Sequence, residues 1–179
     1  MRNVFIDCGA NVGTGYERIN SARNFTNYEV IMFEPIKSCY EELVKKYKHF
    51  TIYNKAVWIA DEIKSFGVEA GQGHSSNLLG NNYNRHLNQH NPWDEVMVEC
   101  IDLPNYIKTN FNTDNNIFLK LDIEGAEYNI LDKFIELNML NYIKTINVEF
   151  HDHMLFDKPK HDNEYYINYL KEKNVEIFI

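Results

Sequence analysis

Apolar residues in this chain come in short runs that end at a carboxylate, and between those runs they fall at helical spacing. Val4-Phe5-Ile6 runs into Asp7, Val30 to Phe33 into Glu34-Pro35, and Ile117 to Leu121 into Asp122. Runs this short, bounded by turn residues, read as buried strands. Residues 16–23 follow a glycine-rich turn and predict a helix. Tyr40, Leu43, Val44 and Tyr47 lie at i, i+3, i+4 and i+7 on a second helix, for which Ser38 and Glu41 have capping-box spacing. Further strands are predicted over 50–57, 65–68, 96–101, 143–150 and 175–179. Asp102 with Pro104 opens a short helix. Ile130, Leu131, Phe134 and Leu137 line one helix, and Tyr166, Tyr169 and Leu170 a last one.

Strands and helices that alternate in this way predict one α/β domain over residues 1–179, with a mostly parallel sheet and helices on both faces. A polar insertion over about residues 70–95 interrupts the pattern. The length, 179 residues, suits a single domain. A formal charge of −8 argues against nucleic acid, whose backbone requires a basic face. No apolar run approaches the ~20 residues of a membrane span, and the chain opens directly on a strand. Cys8, Cys39 and Cys100 lack metal-site spacing. Together these features predict a cytoplasmic protein with reduced thiols, no nucleic-acid partner and no membrane partner.

The segment Asp7-Cys8-Gly9-Ala10-Asn11-Val12-Gly13-Thr14-Gly15 joins the first strand to the first helix, where a doubly wound fold holds the adenosine part of a cofactor. A dinucleotide fingerprint needs glycine at positions 9, 11 and 14, but Asn11 and Thr14 stand at two of them. An NAD-dependent dehydrogenase is therefore disfavoured. Asp7, just before the turn, suits a cofactor that carries a sulfonium and an ammonium rather than a pyrophosphate. Glu34 ends the second strand at the distance expected of a residue that accepts from ribose hydroxyls. In the second informative segment, Phe118 to Glu127, alternation puts Lys120 and Asp122 on one face, with Leu119, Leu121 and Ile123 on the other. A buried lysine needs a carboxylate beside it, so Asp7 and Asp122 are expected to meet at the crevice between the first and fourth parallel strands.

The stretches FIDCGANVGTG, FEP, NKAVW, LKLDIEGAEYNIL and NVEFH, in this order, resemble the FkbM-type methyltransferase family from about Val4 to His151. The resemblance implies a Rossmann-like class I methyltransferase domain that uses S-adenosyl-L-methionine. It also implies O-methylation of a hydroxyl on a sugar, glycan or other small polyhydroxylated acceptor. Asp7, Gly9, Ala10, Asn11, Gly13 and Glu34 would then line the cofactor pocket. Ala56 and Val57 would edge the adenine, and Asp122 and Glu124 would sit near the transferring methyl. The chain departs from the family pattern by ending on the expected sixth strand, without an antiparallel seventh. That truncated C-terminal edge would call for a cover such as a second copy, in a homodimer. It also keeps open a catalytically impaired S-adenosylmethionine-binding module that acts with a partner protein.

A hydroxyl acceptor must lose its proton, and Asp122, Glu124, Glu149 and His151 are the candidates to take it. A divalent metal is not expected; if one is bound, Asp122, Glu149 and His151 would hold it. Gly71 to Asn77, including His74, Ser75 and Ser76, offers amides and hydroxyls to an acceptor. With Asn81, Asn82, Tyr83, Arg85, His86 and Trp93, this stretch is either a lid over the substrate or a plain solvent-exposed insertion.

Overall fold

The first strand, β1 (Asn3–Cys8), puts Val4, Ile6 and Cys8 on one face of the sheet and Phe5 with Asp7 on the other. A computed structural model describes residues 1–69, 76–78 and 93–178. After β1 come α1 (Thr14–Arg23), β2 (Glu29–Phe33), α2 (Lys37–Lys46), β3 (Thr51–Tyr53) and β4 (Ala56–Trp58). Then follow β5 (Ile63–Glu69), β6 (Trp93–Asp102), α3 (Leu103–Asn110), β7 (Asn116–Leu121) and α4 (Glu127–Glu136). The described chain closes with β8 (Ile143–Val148), α5 (Asn163–Glu172) and β9 (Glu176–Phe178).

The main sheet has the order β3-β2-β1-β7-β8-β9, and every pairing in it is parallel. The order reverses between β1 and β7, and a doubly wound sheet opens its ligand crevice at the carboxyl ends of such a pair. On the Phe5 face, Tyr16 and Ile19 of α1 and Leu43 of α2 pack with Phe25 and Phe118. On the other face, Leu103 and Ile107 of α3, Ile130 and Phe134 of α4, and Tyr166 and Leu170 of α5 cover Ile6, Leu119 and Ile146. Both faces are dry, so the central strands are apolar on both sides. This is the α/β fold with a mostly parallel sheet and flanking helices that the sequence predicts.

Several local expectations need correction. The run over 50–57 is not one strand. Thr51–Tyr53 pairs with β2, whereas Ala56–Trp58 pairs with β6 in a second sheet of order β4-β6-β5. The break falls at Asn54, whose amide donates to the carbonyls of Glu34 and Pro35, 2.9 Å each. The Ser38–Glu41 capping box does not form, because α2 opens from Ile36 without a side-chain cap. Its buried residues are Cys39 and Leu43, and Val44 is exposed. Leu137 is exposed just beyond α4. The predicted start of α3 does hold: Asp102 Oδ1 accepts from the Asn105 N–H at 2.8 Å. The polar insertion is narrower than 70–95, since β6 begins at Trp93 and Gly67 bridges to Asn77.

Candidate active site

The carboxyl ends of β1 and β7 open into a cavity of about 310 Å³. Its lining includes Gly9, Ala10, Asn11, Glu34, Ala56, Val57, Ser76, Asp122, Glu124 and Glu149, all predicted from the sequence. Three different local devices shape the walls.

The first is the β1–α1 turn. Gly9 has φ +80°, and a Cβ there would collide with the Asp122 carbonyl, so the turn from β1 can pass under the end of β7 only with glycine at this position. Asn11 also takes a left-handed φ, +48°, a region asparagine tolerates better than most residues. That geometry turns the Asn11 N–H onto Glu34 Oε2 at 2.7 Å. Ile36 donates its N–H to the other oxygen, Oε1, at 2.8 Å. Glu34 is buried, and burial pushes its carboxyl up to about 7 despite these two donors. Asn11 Oδ1 is buried without a hydrogen-bond donor among the described residues.

The second device lies beneath the floor. The β1–β7 register sets Asp7 beside Lys120, and both are fully buried. Lys120 Nζ lies 3.0 Å from Asp7 Oδ1, 3.2 Å from Asp122 Oδ2 and 3.0 Å from the Gly9 carbonyl. The ammonium donates a hydrogen bond to the Gly9 carbonyl and is ion-paired with both carboxylates. Burial works against its charge, but Asp7 and Asp122 outweigh burial and hold Lys120 above its ordinary value. Burial pushes the Asp7 carboxyl up. The lysine joins the first strand, the glycine turn and the end of β7 into one unit.

The third device holds the opposite wall. Asp122, Ile123, Glu124 and Gly125 form the turn between β7 and α4, and Glu124 and Gly125 have φ of +55° and +98°. Glu127, fully buried, accepts the Ile123 N–H on Oε1 (2.7 Å) and the Gly125 N–H on Oε2 (2.8 Å). His151 Nδ1 also meets Glu127 Oε1, at 3.0 Å. The imidazole Nε2 then lies 3.7 Å from Glu124 Oε2 and 3.9 Å from Glu149 Oε1. Burial disfavours the charged ring, but Glu127, Glu124 and Asp122 reverse that and raise His151 to about 9.

The chain matches the sequence profile of the methyltransferase FkbM domain over residues 7–176. It belongs to the FkbM methyltransferase family. Among solved structures, a methyltransferase FkbM from Methylobacillus flagellatus KT is 14% identical with a TM-score of 0.43. The matched region covers 75% of this chain and 29% of that one, so this chain spans less than a third of that structure's length. No curated protein matches. No helix among the described residues is long and apolar enough to cross a membrane.

In this FkbM domain the predicted residues divide by position. Asp7 and Gly13 do not line the cavity. Asp7 lies beneath it, against the lining residue Lys120, and Gly13, at φ +91°, packs against the Tyr47 ring. His151 also stands behind the lining, where its carboxylate neighbours raise the ring to about 9. Asp122, Glu124 and His151 each offer an atom within 4.8 Å of the others, whereas Glu149 is not in that group. Lys120 already meets Asp122 Oδ2 at 3.2 Å and Glu127 already meets His151 Nδ1 at 3.0 Å, so two of these three groups have partners of their own. His74 and Ser75 lie outside the described residues, as do Asn81, Asn82, Tyr83, Arg85 and His86.

Sequence reasoning missed Phe33, Ile36, Phe66 and Leu78, apolar residues of the cavity wall, and it gave Glu127 no role. A glutamate at the start of an amphipathic helix reads as a solvated residue that favours the helix N-terminus. The signals available were the stretch LKLDIEGAEYNIL, which contains Glu127, and the glycine two positions earlier, whose backbone needs a partner when the turn is buried.

Proposed function

We propose that this domain transfers a methyl group from S-adenosylmethionine to a hydroxyl of a sugar or another small polyhydroxylated acceptor. The observation that carries the reading is Glu34. It is a buried carboxylate in the cavity wall, aimed by two backbone N–H groups and with no cation against it among the described residues. Each of its oxygens retains lone-pair capacity for a ribose hydroxyl. The orphaned Asn11 Oδ1 on the same wall asks for a donor, and the methionine end of this cofactor brings an ammonium. Lys120, the cation in the lining, is already taken up by Asp7 and Asp122, which suits a cofactor without phosphates. Apolar Val57, Phe66 and Leu78 offer the adenine ring a dry edge. These features fit the group that the family implies.

When bound, S-adenosylmethionine supplies a methyl on an electron-poor sulfur. The chain's own residues do the rest. Gly9, Ala10 and Asn11 fix one end of the cofactor and Glu34 the other. The turn carrying Asp122 and Glu124 faces the acceptor side, where orientation is worth about 7–11 kcal/mol of barrier. In transfer, the acceptor oxygen gains the methyl as the sulfur–carbon bond breaks, and the hydroxyl proton must leave. Glu124 takes that proton in our reading. Its side chain stands in the cavity lining 3.7 Å from His151 Nε2, whereas Asp122 is tied to the buried Lys120 and the Glu149 side chain is more than half exposed. Ser76, buried at the cavity edge, contributes to acceptor binding.

The test is methyl transfer from labelled S-adenosylmethionine to a panel of neutral sugars and polyols, with Glu124→Gln beside the native chain. Label should enter at least one acceptor, and the variant should lose about 10²–10⁴-fold in turnover, as a lost general base does. Transfer by the variant at the native rate would remove Glu124 as the base. Label on an amine instead of a hydroxyl would overturn the acceptor class.

A further inference from the structure

Glu127 does not itself line the cavity, yet three parts of the acceptor wall, the lining residue Ile123 among them, converge on it. We infer that Glu127 is the positioning residue of the transfer step, clasping the Asp122–Gly125 turn to His151 so that the carboxylates on that turn hold one geometry. This inference rests on the function proposed above.

The chemistry of the clasp is specific. Ile123 and Gly125 flank Glu124, and their N–H groups point to opposite oxygens of one carboxylate, at 2.7 and 2.8 Å. Glu124 between them is held at φ +55°, a region that a non-glycine residue keeps only when its surroundings enforce it. Gly125 follows at φ +98°. Both N–H groups therefore fix the backbone that presents Glu124 to the cavity. His151 closes the arrangement from the chain just beyond β8. Its Nδ1 is tied to Glu127, which aims Nε2 between Glu124 and Glu149. The charged groups facing the ring are Glu127 from α4, Asp122 and Glu124 from the turn, and Glu149 beyond β8, with the His153 ring 6.2 Å away. Glu127 is fully buried and its oxygens already hold three donors, so its part is to orient rather than to exchange protons with substrate. A displacement of about 1 Å at a reacting group can lower a rate about a hundredfold.

Glu127→Gln replaces one acceptor oxygen with a donor, so one backbone N–H must lose its partner. Glu127→Asp keeps both acceptors and the charge but withdraws them by one methylene, and serves if the glutamine variant does not fold. Each is measured for S-adenosylmethionine Kd, for kcat and KM, and for the chemical shifts of the Ile123 and Gly125 amides and the His151 ring. The expected result is kcat down about a hundredfold, with cofactor Kd within about threefold of native and shifts confined to those three residues and Glu124. Native kcat in a folded variant would overturn the inference and leave the proposed function standing. Loss of cofactor binding in step with kcat would also overturn it, because the effect would then be general. A native chain that binds no S-adenosylmethionine would instead overturn the function and the inference together.

Discussion

Two walls of the cavity use the same device to opposite ends. At each, a buried glutamate accepts two backbone N–H bonds, at least one of them from a turn that contains a non-glycine residue at positive φ. Glu34 takes Asn11 and Ile36; Glu127 takes Ile123 and Gly125. The difference lies in what else each carboxylate meets. Glu34 faces the cavity and has no cation against it among the described residues, so burial pushes its carboxyl up to about 7. Glu127 faces inward and His151 closes it. One wall presents its carboxylate to the cavity, and the other closes its carboxylate in among its neighbours. Lys120 sits between the walls and joins them through Asp7, the Gly9 carbonyl and Asp122.

The comparison can be broken most severely at that joint. Lys120→Ala leaves Asp7 and Asp122 without their shared cation. Removing one partner of a buried ion pair costs about 3–5 kcal/mol. Urea unfolding should show a loss of this size; a loss below about 1 kcal/mol would mean that the lysine is not the joint.

Next in size is the contrast between the two glutamates. Glu127→Ala strands two backbone donors and a histidine in a closed space, and each unsatisfied group costs about 1–3 kcal/mol. Glu34→Ala strands two donors at a cavity that water can enter, and it also removes a poorly compensated charge. The first variant should therefore lose several times more stability than the second at pH 7.5. Equal losses would erase the distinction between the walls.

The pH dependence of the ligand-free protein separates the walls more finely. Glu34 has a folded pKa of about 7, above its ordinary 4.5. The folded state thus holds an extra proton between those values, and stability falls as pH rises from about 4.5 to 7. His151, raised from 6.5 to about 9, contributes stability that is fully present below 6.5 and is lost as pH rises through 9. The two windows follow one another, each with a slope of at most about 1.4 kcal/mol per pH unit. Glu34→Gln should flatten the lower window alone, and His151→Gln the upper alone. A variant that flattens both, or neither, would show that the walls do not titrate independently.

Much of this architecture was legible in the sequence because its strands end in carboxylates. Asp7, Glu34 and Asp122 mark the ends of apolar runs, and strand alternation alone puts Lys120 on the face of Asp7 and Asp122. The β3–β4 break was not legible, since Asn54 interrupts the run only by reaching the carbonyls of Glu34 and Pro35, which are remote in sequence. The buried face of α2 was misread because Tyr40 and Val44 match the helical period as well as Cys39 does, and only the packing of the neighbouring elements decides between them. His151 was legible as a residue of the site, but its charge depends on Glu124 and Glu127, brought to it from a different strand end. Glu127 stayed hidden because two of its partners are backbone groups, which carry no sequence signature, and the third, His151, is 24 residues away.

The central claim is that Glu34 is the open carboxylate that receives S-adenosylmethionine. Calorimetric titration of the native chain and Glu34→Gln with S-adenosylmethionine, with NAD as control, tests it most directly. The account predicts saturable binding to the native chain and none of NAD. Affinity should rise as pH climbs through 7, because ribose donors favour the ionised carboxylate, and the folded glutamine variant should bind at least tenfold more weakly without that pH dependence. Equal affinity of the two proteins at every pH, or binding of NAD in preference, would contradict it.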